Sequence, residues 1–237
     1  DTPNFVNNGI KTVEDLREVN LDNVEIVSPW LVSPRWAFEK IDSWGIDSPM
    51  FQARVLGNFP SESVNTIIPL NYIELAYEKE HRAKLEEAGG PLRLGVDPAR
   101  FGNDETVITP RYGGFIPEQA ITFKESTTAT AGRILQYSSP RPVFIGIDVD
   151  GLGGGVYDTL ADSNIDGIAE IHNNAKALPD ATGLTFANLA SQLWWRAREL
   201  FIAGELAIPK DDKLIMQLST RKYKFTGRGL TVESKDD

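Results

Sequence analysis

The chain has no cysteine and only two histidines, His81 and His172. Without cysteine there is no disulfide framework, no thiolate zinc site and no Cys nucleophile. Two histidines leave almost nothing for a His-rich metal site or a Ser-His-Asp relay. No apolar run approaches the ~20 residues that span a bilayer, and no charged-then-apolar start marks a signal peptide. A Walker-type glycine loop followed by Lys-Ser or Lys-Thr is missing, so the chain has no P-loop of its own. Positive charge is also scarce: 24 Lys and Arg face 34 Asp and Glu, a formal charge of −10. That balance argues against a binder of polyanions over its whole surface. It leaves room for a local basic track, or for an acidic cluster that holds metal. What remains is an ordinary globular composition, 41% hydrophobic and 24% charged over 237 residues, enough for one large domain or two small ones.

The charge is unevenly distributed. Residues 1–90 hold 8 basic and 15 acidic side chains, net −7, and residues 91–237 hold 16 and 19, net −3. Within 213–235, Lys213, Arg221, Lys222, Lys224, Arg228 and Lys235 face only Glu233, a local charge of +5. This basic ribbon reads either as a solvated strand pair or as a track for an anionic partner.

Gly89-Gly90-Pro91 is a natural boundary. Before it the pattern is irregular and mainly helical, with helices expected near Val13–Val19, over Pro34–Trp44 and over Ile73–Ala88. After it, strands are expected at Leu92–Val96, Thr106–Pro110, Gly114–Phe123, Val143–Ile147 and Ile165–Ile171. Helices are expected at Thr128–Tyr137, from Gly151–Gly155 to about Ala161, and over Phe186–Gly204. In the last of these, Leu189, Leu193, Ala197 and Leu200 line one face. Lys222–Thr226 and Gly229–Glu233 flank Gly227-Arg228 as a hairpin. No internal repeat is present. The order predicts an α/β domain with a mixed sheet whose first three strands are antiparallel.

Two of those strands deliver an aspartate at the C-terminal end, Asp97 and Asp148, and in open α/β sheets ligands bind at that rim. Asp150 follows Asp148 by two, so both share a face if the strand continues. Two converging carboxylates without neighbouring His or Cys suit a hard cation such as Mg2+ or Mn2+. The plainer alternative is an Asp that caps the next turn or helix. Gly151-Leu152-Gly153-Gly154-Gly155 imitates a dinucleotide fingerprint but puts Val156 at the third glycine position. A tight strand-to-helix turn, or close approach to a phosphodiester, fits it better. Trp194 and Trp195 read as core before they read as a base-stacking platform, and Asn188 as structural or functional equally.

Several stretches resemble the C-terminal part of a tailed-bacteriophage large terminase subunit, the DNA-packaging motor. Thr2-Pro3-Asn4-Phe5, Trp44-Gly45-Ile46-Asp47-Ser48-Pro49 and Arg54-Val55-Leu56-Gly57-Asn58-Phe59-Pro60 are similar to the stretch after the motor's ATPase core, with Ile68-Pro69-Leu70 leading into the nuclease domain. Gly95–Asp104 with Glu105-Thr106-Val107-Ile108 resembles that domain's first metal-binding strand, and Asp148-Val149-Asp150-Gly151-Leu152-Gly153 its fourth. Phe186-Ala187-Asn188, Trp194-Trp195 and Ser234-Lys235-Asp236-Asp237 complete the match.

The resemblance implies an RNase H-like α/β nuclease that uses two divalent ions, Mg2+ or Mn2+, to cut concatemeric double-stranded viral DNA. Asp97 and Asp148 would be the catalytic metal ligands, with Asp104 and Asp150 as second-tier candidates. Lys213, Arg221, Lys222, Lys224, Arg228 and Lys235 would grip backbone phosphates. Residues 1–90 would be a linker or lid after an absent ATPase core, and 91–237 the nuclease domain. The family's closing acidic helix would follow Asp237, so residues 91–237 are expected to lack one metal ligand. Implied partners are viral DNA, the portal protein and the small terminase subunit. The implied place is the host cytoplasm, with no membrane. Two other readings stand beside this one. A non-catalytic docking module for DNA or portal is the first. An actin-like phosphotransferase is the second, and it would need a second glycine-rich phosphate loop and a further ATP-binding lobe.

Overall fold

A computed structural model describes residues 2–46, 49–57, 65–99, 104–137, 140–180 and 183–233, without the side chains at 42–44, 49, 50 and 53. By packing, the chain divides into two compact units: residues 1–73 with 210–222, and residues 74–209 with 223–237. The division falls inside a helix, earlier than Gly90, and the first unit takes back a later segment of chain.

The first unit is helical. It contains α1 (Pro3–Asn7), α2 (Val13–Glu18), α3 (Pro34–Trp44), α4 (Pro49–Arg54) and the start of α5 (Leu70–Tyr77). Caps written in the sequence set three of these starts. Thr2 and Ser33 accept backbone N–H groups ahead of a proline in the first turn. Thr12 and Asp15 form a reciprocal capping box, in which the backbone N–H groups of Lys11 and Thr12 hold the Asp15 carboxyl below its ordinary pKa.

The second unit begins within α5 and continues through α6 (Lys79–Ala88), β1 (Leu92–Asp97), β2 (Glu105–Tyr112), β3 (Ala120–Phe123), α7 (Thr127–Leu135), β4 (Phe144–Asp148), α8 (Gly154–Asp162), β5 (Ile168–Ile171) and α9 (Leu189–Ile202). The chain then returns to the first unit for α10 (Asp212–Thr220), which packs on α3 and α4. It closes with the hairpin β6 (Tyr223–Thr226) and β7 (Gly229–Val232) in the second unit.

The main sheet has the order β3-β2-β1-β4-β5. β1–β2 and β2–β3 are antiparallel, whereas β1–β4 and β4–β5 are parallel. The mixed sheet follows the sequence expectation. One face buries Leu92, Leu94, Val96, Ile108, Ile145 and Ile147 against Ala131 and Ile134 of α7 and Val156 and Leu160 of α8. Burial of that face, at roughly 25 cal/mol per Å2 of apolar surface, is what fixes the strand register.

Three expectations are corrected in detail. The helix expected over Ile73–Ala88 is two helices, because Glu78 is extended (φ −62°, ψ 138°) and starts α6 afresh. Only the last four residues of Gly114–Phe123 form a strand, since Phe115 folds back to exchange backbone hydrogen bonds with Tyr112 (2.8 and 2.9 Å). In α9 the buried residues are Ser191, Gln192 and Phe201, while Leu193 is exposed. Gln192 can be buried because its amide exchanges hydrogen bonds with the backbone of Leu178 (2.8 and 2.9 Å).

Candidate functional site

The parallel register pairs Val96 with Ile147, so Asp97 and Asp148 come next in line at the ends of adjacent strands. Such strands lie ~4.8 Å apart. Side chains alternate along a strand. Leu94, Val96, Ile145 and Ile147 point into the core, which sends Gly95, Asp97 and Asp148 to the opposite face. Among the described residues that face is open at this end: none lies within 4 Å of where a Cβ on Gly95 would stand, and Asp97 is exposed. The chain leaving Asp97 is pinned by Thr106, a fully buried side chain whose hydroxyl accepts the Ala99 N–H (2.9 Å) and donates to the Ala99 carbonyl (2.8 Å).

Asp148 is held from two sides. Its Oδ1 accepts the Asp150 N–H (3.0 Å), a local turn of the kind that explains many strand-end aspartates. Its Oδ2 accepts from Asn173 Nδ2 (2.6 Å). Asn173 also donates its backbone N–H to Asp150 Oδ2 (2.8 Å), while Asp150 Oδ1 lies 3.3 Å from His172 Nδ1. The turn-forming role and the rim position therefore coexist. Asp148 and Asp150 converge because one residue beyond β5 bridges them. The β4–β5 ladder continues past Asp148 through Val149 N–H to the Ile171 carbonyl (3.1 Å).

The glycine run is the tight turn that aims this rim. Gly151 has φ +107°, and a Cβ on Gly153 would lie 1.8 Å from the Asp148 carbonyl oxygen. No room exists there for any other residue. Asp104 is exposed and directly precedes β2. The antiparallel pairing of Asp97 with Val107 puts it across from the end of β1, beyond residues 100–103, which lie outside the described residues.

Among the described residues, no three His, Asp or Glu side chains gather as a ready-made cation cage. The rim offers two hard carboxylates in line and a third, Asp150, tied to one of them. This suits a small hard cation that keeps several waters and takes substrate oxygens as its remaining ligands.

The basic ribbon divides. Lys213, Arg221 and Lys222 belong to the first unit, where Ile67 N–H bonds to the Arg221 carbonyl (2.8 Å). Lys224 and Arg228 belong to the second, exposed on the β6–β7 hairpin, with Lys224 Nζ 3.8 Å from Glu233. Lys235, like Asp236 and Asp237, lies outside the described residues. Asn188 is structural: its side chain caps α9 by accepting the Ser191 N–H (2.9 Å). The first two helix N–H groups, those of Leu189 and Ala190, go to the Ala175 and Asn173 carbonyls, which ties α9 to the loop carrying Asn173. Trp195 is half-buried, edge-on to Tyr223 (5.4 Å) and under the Arg198 guanidinium (5.1 Å).

Asn173 and His172 were not singled out by the sequence reading. The signal was available, since Ile165–Ile171 reads as a strand and its C-terminal end belongs to the same rim.

The five-stranded mixed sheet flanked by helices is an α/β fold of the RNase H-like kind. It is similar to the nuclease domain of the large terminase subunit of bacterial virus Sf6, at 18% identity and a TM-score of 0.56 over 72% of this chain and 89% of that one. A point variant of the Sf6 domain, solved with manganese and beta-thujaplicinol, superposes with a TM-score of 0.53 at 18% identity, over 71% and 86%. The large terminase nuclease of thermophilic phage G20c matches at 12% identity and a TM-score of 0.50, over 73% and 90%. No protein-family profile matches the chain, and no curated protein sequence matches it. The resemblance read from the sequence therefore stands as a shared fold. Among the described residues, no helix is long and apolar enough to cross a membrane.

Proposed function

We propose that this chain is the divalent-metal-dependent endonuclease part of a viral DNA-packaging terminase, cutting concatemeric double-stranded DNA by phosphodiester hydrolysis. The observation that carries the reading is the alignment of Asp97 with Asp148 at the open end of two parallel strands. Support comes from the fold shared with terminase nuclease domains, of which the Sf6 point variant was solved once with manganese and once with calcium.

Asp97, the exposed carboxylate, and Asp148 would together hold two divalent ions, Mg2+ or Mn2+, with Asp150 and Asp104 as auxiliary candidates. Ions bound there would supply an activated water and stabilisation of the leaving 3′ oxygen. The protein's own contribution is positional. Asn173 fixes the Asp148 and Asp150 carboxylates, Thr106 fixes the chain after Asp97, and the Gly151–Gly155 turn keeps bulk away from the rim. Lys213, Arg221, Lys222, Lys224 and Arg228, with Lys235, would contact phosphates without reading sequence. In the full motor the partners would be viral DNA, the portal and the small subunit, in the host cytoplasm. Residues 1–90 would be the linker after the ATPase core, and 91–237 the nuclease domain.

The reading predicts that Asp97→Ala and Asp148→Ala each abolish Mg2+- or Mn2+-dependent nicking of supercoiled plasmid while the chain stays folded, with Asp148→Ala melting somewhat below the parent because two hydrogen bonds to its carboxylate are lost. Full activity in both variants would overturn the assignment. DNA binding without cleavage by the parent chain would favour the docking-module reading.

A further inference from the structure

β1 and β2 bring Arg93 and Arg111 directly opposite one another. Both are half-buried. Among the described residues, neither guanidinium has an ion pair or hydrogen bond. On its other side Arg93 neighbours Phe144, an apolar and partly exposed residue, so β4 supplies no acid at that level. Like charges placed opposite each other across a strand pair are destabilising. Burial first, and the Arg93 charge second, hold the Arg111 guanidinium below its ordinary pKa, although an arginine at this depth remains charged. In a chain of net charge −10, two facing arginines without acids are a conspicuous local excess of positive charge.

Their position says what the excess is for. Arg93 precedes Asp97 by four residues on one strand, so both point to the same face. Between them on that face of β1 lies Gly95, with open space above it among the described residues. The separation along the strand is ~13 Å at ~3.3 Å per residue. A DNA strand rising ~3.4 Å per nucleotide covers that distance in about four steps. Two guanidinium forks present the planar, bidentate donors that phosphate oxygens accept.

We propose that Arg93 and Arg111 form a phosphate-binding subsite that holds the DNA backbone a few nucleotides from the Asp97–Asp148 rim. The inference rests on the nuclease reading for the direction in which DNA runs, but its test needs neither metal nor cleavage. Binding of a labelled duplex by the full chain is measured in EDTA between about 50 and 200 mM salt. Arg93→Gln and Arg111→Gln should each flatten the slope of log K against log salt by roughly one, and the double variant by about two. Arg93→Lys/Arg111→Lys should keep most of the slope, which identifies charge rather than packing as the cause. Melting temperatures of the Gln variants should hold or rise, because a like-charge pair is removed. Slopes indistinguishable from the parent in all Gln variants overturn the subsite. A parent that never cleaves, with Gln variants of reduced slope, removes the nuclease reading and leaves the subsite standing. A parent that cleaves, with unchanged slopes, does the reverse.

Discussion

Asn173 organises the rim with one side chain and one backbone N–H. It restrains Asp148 at 2.6 Å and Asp150 at 2.8 Å, two carboxylates whose mutual repulsion would otherwise spread them. Where a group of this kind orients metal ligands, as proposed for Asp148 and Asp150, it typically accounts for about 10–100-fold in metal affinity. Asn173→Ala should therefore weaken Mn2+ binding, measured by calorimetry without DNA, by about that factor, with the melting temperature little changed because the side chain is only half-buried. Affinity equal to the parent's would show that Asp148 is positioned without it. The two aspartates were legible in the sequence because each ends a short apolar strand, a local pattern. Asn173 was not, because its role depends on β5 lying beside β4, and no local spacing states that. Arg93 and Arg111 were invisible for the same reason: eighteen positions apart in sequence, they meet only through the β1–β2 register.

Among the elements, the turn from β4 into α8 has the least tolerance. A Cβ on Gly153 would collide with the carbonyl oxygen of Asp148, so Gly153→Ala must move either the turn or the aspartate. It should cost roughly 1–3 kcal/mol or more in a denaturant titration, and metal binding should fall with it. Unchanged stability would mean that the turn has slack. The long helix α9 has a different weak point. Arg196 pairs with Glu199 and with Asp180 (2.5 and 2.6 Å), and the Asp180 side chain is only 1% exposed. Hydrogen bonding to Glu199 leads the causes that raise the Arg196 pKa. Arg196→Met should destabilise by roughly 1–2 kcal/mol in the same titration, less than a fully buried pair would, because the Arg196 side chain is 43% exposed. The existence of α9 was legible from its length and its terminal glycine. Its buried face was not, because Gln192 enters the interior through a hydrogen-bond exchange with the Leu178 backbone, and apolar spacing cannot anticipate that. The helices α3 and α7 and the hairpin were readable because capping residues and turn glycines mark their ends locally.

For the whole molecule, the informative quantity is where charge lies rather than its sum. The formal charge of −10 describes an acidic chain, yet the second unit carries exposed Lys224 and Arg228 on one hairpin and the facing pair Arg93 and Arg111 on its sheet. Lys213, Arg221 and Lys222 belong to the first unit, so a stretch that looks continuous in sequence is shared between two bodies. The chain returns to the first unit through α10, a connection that no composition shift announced. Metal would reverse the sign at the Asp97–Asp148 rim and turn an acidic edge into one that attracts phosphodiester. Conversion of supercoiled plasmid by the parent chain across a Mn2+ titration measures that reversal most directly. Cleavage should rise to saturation with Mn2+, stop in EDTA and be absent in the Asp97→Ala/Asp148→Ala double variant. Cleavage that persists in EDTA or in the double variant, or no cleavage at saturating Mn2+, would contradict the nuclease reading.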